Sequence, residues 1–161
     1  MEKKILGIDP GLSVTGYSVL LQKKASIFAV EYNFKKFSSK DDVQTRIGQF
    51  YEFILYKIDQ HGITHLAIET PFLGKNAQTF LKLGYLRGVI YAIAFQRKLQ
   101  VFEFSPTQVK QSITGYGGAS KEQVAKVLSM LFPNMYAPAK ADATDALAIG
   151  LCGIWSKEKT L

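Results

Sequence analysis

Lys4-Ile5-Leu6-Gly7-Ile8-Asp9 is a short apolar run that stops on a carboxylate, and Pro10-Gly11 turns the chain immediately after it. A run of this length bounded by a turn signal reads as a buried strand. The design recurs at Thr64-His65-Leu66-Ala67-Ile68-Glu69, which again closes on a carboxylate. Residues 14–22 and 26–34 predict two more strands, joined by a turn at Lys23-Lys24. In the second of these, Ile27, Ala29, Glu31 and Asn33 alternate with Phe28, Val30, Tyr32 and Phe34, one set to each face. Val43, Ile47, Phe50, Ile54 and Ile58 fall at helical spacing and predict an amphipathic helix over 41–60, which His61-Gly62 stops.

Further along, residues 75–96 predict a second long helix and 100–104 a short strand. Ser105-Pro106 opens a short helix through about Ser112, and Gly115, Gly117 and Gly118 make a flexible loop. Ser120 caps a helix over 121–131, with Gln123 completing a capping box. A last helix runs from about Asp142 to Trp155. Three antiparallel strands followed by strand–helix alternation predict an α/β fold: a mixed five-stranded sheet with helices on both faces. The ribonuclease H-like fold has this order of elements.

The 161 residues suit one domain spanning 1–161, and 47% hydrophobic residues suffice for a core without staples. No apolar run has the length of a membrane span, and Met1-Glu2-Lys3-Lys4 leads straight into the first strand without a secretion signal. The lone cysteine, Cys152, excludes an internal disulfide and fits a reducing compartment. The expectation is a soluble, cytoplasmic protein with no membrane partner. Twenty Lys and Arg against 13 Asp and Glu leave a formal charge of +7, which attracts polyanions.

Four carboxylates stand out. Asp9 and Glu69 each terminate an apolar strand at a corresponding place, and Asp142 and Asp145 lie one turn apart on the last helix. Each also has an ordinary reading: Asp9 as a turn residue, Glu69 as a solvated strand end, Asp142 as an N-cap with Asp145 in the first turn. Against those readings, the segment after Asp145 is apolar on nearly every face, so its helix is buried, and acids at the mouth of a buried helix need a partner. Four acids from three elements can converge at the strand ends, where open α/β sheets place their sites. A set with oxygen ligands alone suits Mg²⁺ or Mn²⁺ rather than zinc. Two such ions about 4 Å apart activate a water and stabilise the leaving oxygen in phosphodiester hydrolysis.

The chain resembles the RuvC family of Holliday-junction resolvases from end to end. The matching stretches are Gly7-Ile8-Asp9-Pro10-Gly11 with Thr15-Gly16, Ala67-Ile68-Glu69, Lys75-Asn76-Ala77, Leu81-Lys82-Leu83-Gly84, Arg87-Gly88, Val109-Lys110-Gln111, and Ala141-Asp142-Ala143-Thr144-Asp145-Ala146-Leu147-Ala148-Ile149. The resemblance implies a ribonuclease H-like fold and a homodimer that nicks four-way junction DNA in symmetric pairs, leaving 5′-phosphate and 3′-hydroxyl ends. It implies Mg²⁺ at two ions per subunit, replaceable by Mn²⁺, held by Asp9, Glu69, Asp142 and Asp145 as the catalytic acids. It implies DNA contacts from Phe72 by stacking and from Lys110 and Lys121 near the scissile phosphate, and work alongside the RuvA–RuvB branch-migration complex. Thr70-Pro71 departs from the family's pattern and stiffens the loop that carries Phe72.

Ala77, Leu81, Gly84, Gly88, Ala92 and Phe95 form one stripe on the second long helix. Two interior glycines, each costing about 1 kcal/mol against alanine, point to a close backbone approach, either to the protein's own sheet or to another subunit. The resemblance favours the second and makes Ala77, Leu81, Gly84 and Gly88 dimer-interface residues. Lys121 lies in a first helical turn after a glycine loop, where a phosphate can bind, and reads equally as a solvated lysine. His61 and His65 receive no role, and Cys152 reads as core. Two other readings remain: a YqgF-type ribonuclease H-like nuclease acting on RNA, and a junction-binding protein without catalysis.

Overall fold

The computed structural model describes residues 2–71, 76–133 and 141–157. The elements follow the predicted order: β1 (Lys3–Asp9), β2 (Val14–Lys23), β3 (Ser26–Lys36), α1 (Val43–His61), β4 (His65–Glu69), α2 (Ala77–Arg97), β5 (Gln100–Phe104), α3 (Pro106–Thr114), α4 (Lys121–Leu131) and α5 (Ala141–Trp155). The strands form one mixed sheet in the order β3-β2-β1-β4-β5. β1–β2 and β2–β3 pair antiparallel, whereas β1–β4 and β4–β5 pair parallel.

Strand alternation builds two cores. Leu6, Ile8, Leu66 and Ile68 face α1 and α2, packing with Phe50, Ile54, Leu86 and Ile90. Ile5, Leu20 and Ala67 face α3, α4 and α5, packing with Val109, Leu128, Leu147 and Leu151. Each of the larger side chains, fully buried, contributes about 1.5–3 kcal/mol. Helix ends fall within about two residues of where the sequence places them. Gly62 takes the left-handed conformation that closes α1, and Ser105 and Ser120 both form capping boxes. The glycine loop is held rather than flexible: Gly115 closes α3, its carbonyl accepts from Gln111, and Ala119 is buried.

One expectation fails in β3. Ile27, Ala29, Glu31 and Asn33 do not share a face. The register with β2 shifts between Val19 and Leu20, so Leu20 pairs with Ala29 and Val19 with Glu31. The extra residue, Val30, is a bulge that moves the following side chains to the other face. Ile27 and Ala29 therefore pack on the α5 side. Glu31 turns to α1, where Lys57 donates to its two oxygens at 2.7 and 2.9 Å and Tyr17 donates at 2.6 Å. His61 Nε2 lies 2.9 Å from the same carboxylate.

α5 lies against the sheet with no room to spare. A Cβ on Gly7 would overlap the Ala146 carbonyl and the Gly150 amide, and one on Gly16 would overlap the Asp142 carbonyl. Ser18 donates to the Ala146 carbonyl at 2.7 Å. At the far end, Lys3 donates to the carbonyls of Gly153 (2.9 Å) and Ser156 (2.7 Å), satisfying a helix terminus that needs partners.

Candidate active site

Close packing of α5 fixes the acids. Gly16 pairs with Asp9 in the β1–β2 ladder, and the Asp142 backbone rests on Gly16. Asp142 is thereby seated beside the end of β1, with Asp145 one turn further along α5. The turn after Asp9 is tied by Thr15, which donates to the Gly11 carbonyl at 2.9 Å and accepts from the Gly11 amide at 3.2 Å. Glu69 ends β4, beside β1. Its backbone is pinned on both sides. Arg87 Nη1 donates to the Glu69 carbonyl at 3.2 Å, and the Thr70 amide donates to the Phe104 carbonyl at 2.7 Å.

Asp9 has its carboxyl pushed up to about 7, by burial first and then by the like charges of Asp145, Glu69 and Asp142. Glu69 is raised for the same reasons, burial before Asp145. All four predicted acids thus share one electrostatic neighbourhood. Among the described residues, however, no three Asp, Glu, His or Cys side chains close on a point as a ready-made ion cage. Asp145 is instead engaged by Lys121, whose Nζ donates to Oδ2 at 2.8 Å. Lys121 is raised by that hydrogen bond and charge, so it stays an ammonium. It is not a simple solvated lysine: it is the cation that this cluster holds.

Lys110 on α3 joins Glu69, Lys121 and Asp145 around a cavity of about 220 Å³, and its charge, with that of Lys121, works against the rise at Glu69. Two predicted DNA contacts therefore meet two predicted acids. Phe72 lies outside the described residues. Ala77, Leu81, Gly84 and Gly88 are all exposed, and a Cβ on either glycine would meet nothing. The stripe does not face the protein's own sheet, which removes that explanation of the glycines.

The sequence reading missed Arg87 as a tether. Its Nη2 donates to Glu103 at 2.8 Å and to Tyr91 at 2.7 Å, so α2 is tied to the end of β4 through β5. The signal was available only as Arg87-Gly88 in a family pattern, which says nothing of what the guanidinium holds.

The family model for crossover junction endodeoxyribonuclease RuvC matches residues 5–153. The chain belongs to the RuvC family. A RuvC of Cytophaga hutchinsonii is 37% identical over 98% of this chain and 78% of its own length. One of Chloroherpeton thalassium is 41% identical over 92% and 80%. The solved structure of T. thermophilus RuvC in complex with Holliday junction substrate superposes with a TM-score of 0.85 at 29% identity, covering 92% of this chain and 91% of that one. The fold is accordingly ribonuclease H-like. Membership in the RuvC family implies dependence on a divalent cation. The donor set fits one: oxygen ligands alone suit a hard ion, and the repulsion that lifts Asp9 is what such an ion relieves. Among the described residues no helix is long and apolar enough to cross a membrane.

Proposed function

We propose that this chain is a cytoplasmic, structure-selective endonuclease that resolves Holliday junctions in DNA recombination and repair. It nicks phosphodiesters in symmetric pairs and leaves 5′-phosphate and 3′-hydroxyl ends. The observation that carries the reading is the gathering of four acids at the strand ends: Asp9 closes β1 opposite Gly16, on which the Asp142 backbone rests, Glu69 closes the adjoining β4, and Asp145 shares a cavity with Glu69. The junction bound by the T. thermophilus relative supports the choice of substrate.

In this reading Asp9, Glu69, Asp142 and Asp145 hold two Mg²⁺ ions, which Mn²⁺ can replace. When bound, the pair supplies an activated water and a stabilised leaving oxygen. Lys121 releases Asp145 and, with Lys110, holds the backbone phosphate at the same cavity. Phe72 stacks on a base at the junction, a contact type worth about 1–3 kcal/mol. One ribonuclease H-like domain spans 1–161, and two copies join through Ala77, Leu81, Gly84 and Gly88. The open space at both glycines supports that stripe as the contact, and a twofold dimer sets two sites against a nearly twofold junction. RuvA–RuvB is the branch-migration partner.

The test uses a synthetic mobile four-way junction with Mg²⁺ or with EDTA. Paired nicks should appear with Mg²⁺ alone, and Asp9→Asn should abolish cutting while binding persists. Binding in both conditions with cutting in neither would make the protein a junction binder. Cutting by Asp9→Asn would refute the assigned site.

A further inference from the structure

We infer that the protein has a second backbone-phosphate site, on the α1–α2 layer, across the acid cluster from Lys110 and Lys121. The inference rests on the junction reading above. A cavity of about 460 Å³ opens beside Asp142, bounded by the β1–β2 turn at Gly11 and Leu12 and by Arg46, Thr79 and Lys82. Arg46 comes from the first turn of α1, and Thr79 and Lys82 come from the start of α2.

This site and the Lys110–Lys121 cavity lie on opposite helical layers. The first is built from α1 and α2, and the second from α3, α4 and α5. Each includes one of the α5 acids, Asp142 in one and Asp145 in the other. Each also carries two cations. A strand cut at the acid cluster has phosphates on both sides of the scissile bond, so it needs a positive hold on both.

Arg46 is the residue that singles out an anion. Its Nε is buried with no hydrogen-bond partner among the described residues. Its Nη1 reaches only the Leu12 carbonyl, at 3.5 Å, the outer limit of a hydrogen bond. A guanidinium has five N–H donors in a rigid fork that matches phosphate, and that capacity is largely unused among the described residues. Lys82 is exposed and adds a mobile second charge. Thr79 supplies a hydroxyl at the cavity wall. The class of ligand is the phosphodiester of a nucleic-acid strand, contacted without regard to base.

The site can be tested by binding, without cutting. Arg46→Met, Arg46→Lys and Lys82→Met are titrated with the synthetic four-way junction in EDTA across a salt series, beside wild type and Lys110→Met. Each variant at Arg46 or Lys82 should bind several-fold more weakly at low salt. The log–log salt slope should fall by about 1 in Arg46→Met and Lys82→Met, the signature of one lost phosphate contact, whereas Arg46→Lys keeps the charge and the slope and loses affinity alone. A set of junctions carrying single methylphosphonates then locates the contact. One position that weakens wild type should cease to matter in Arg46→Met and Lys82→Met. It should lie on the other side of the cut from the position silenced by Lys110→Met. Unchanged slopes in the two methionine variants, or the same silenced position for both cavities, overturn the proposal. Lys82→Met, at an exposed position, decides the matter if Arg46→Met does not fold. Failure of wild type to bind the junction would instead defeat the reading on which the site rests.

Discussion

Glu31 and Asp9 are both partly buried carboxylates of one sheet, and their surroundings treat them in opposite ways. Burial alone would raise Glu31, but hydrogen bonds from Lys57, Tyr17 and His61 overcome it and hold the carboxyl below its ordinary value. Burial also raises Asp9, and there the neighbours add to the effect. Asp145, Glu69 and Asp142 all push the same way, and among the described residues Lys121 opposes them. Folding completes the first cluster. The second is left short of positive charge, which a ligand from outside must bring.

The largest effect expected from breaking that contrast is at the short-handed end. Asp145→Asn should lower junction cutting at least about a hundredfold and leave junction binding in EDTA intact, as read on labelled junctions in gels. Undiminished cutting would mean that Asp145 serves only as a partner for Lys121. At the completed end, Lys57→Met removes the buried cation from a partly buried acid. The expected cost is about 2–4 kcal/mol, or roughly 2–4 °C of melting temperature per kcal/mol, with cutting per folded molecule unchanged. A variant as stable as wild type would show the Glu31 cluster to be ornamental.

A third effect, of about the same size, is the pH dependence. Asp9 holds its proton to about 7 in the folded protein, against an ordinary value of 3.8. Between those values the folded state binds a proton that the unfolded chain has released. The metal-free protein should therefore lose stability as pH rises from about 4 to 7, by something on the order of a few kcal/mol. In EDTA at neutral pH, Asp9→Asn should melt above wild type, and its melting temperature should lack this slope. Mg²⁺ should raise wild type more than the variant. Parallel melting curves for the two proteins would count against the crowding of charge at Asp9. The smallest effect sharpens the comparison at the site's edge. Arg87→Met frees the Glu69 carbonyl and should slow cutting about tenfold, near 1.4 kcal/mol, in single-turnover assays at unchanged junction affinity.

What the sequence made legible was whatever depends on local period and on position along an element. Strand runs ending at Asp9 and Glu69, helical spacing from Val43 to Ile58, and the capping serines all turned out as expected, because each is encoded within a few residues. The Glu31 cluster was hidden because a single bulge at Val30 reverses which face its residue occupies, and no local signal marks the slip. Lys121 and Asp145 are far apart in sequence, so a lysine in a first helical turn gave no hint of its acid. Arg87 was equally mute as a tether of Glu69, since the acceptor there is a backbone carbonyl and carbonyls carry no sequence identity. The glycines of α2 presented two readings, and only the emptiness beside Gly84 and Gly88 removed one of them.

Gly150 sits in the slot that Gly7 leaves open, and Asp142 lies about two helical turns ahead of it on the same rod. α5 therefore acts as a ruler with a fixed zero. One alanine added between Leu147 and Gly150 would rotate everything ahead of it by about 100°, swinging both aspartates off the end of β1 while the packed half stayed seated. Phase along this helix, as much as the identity of its acids, is what the active site inherits from the fold.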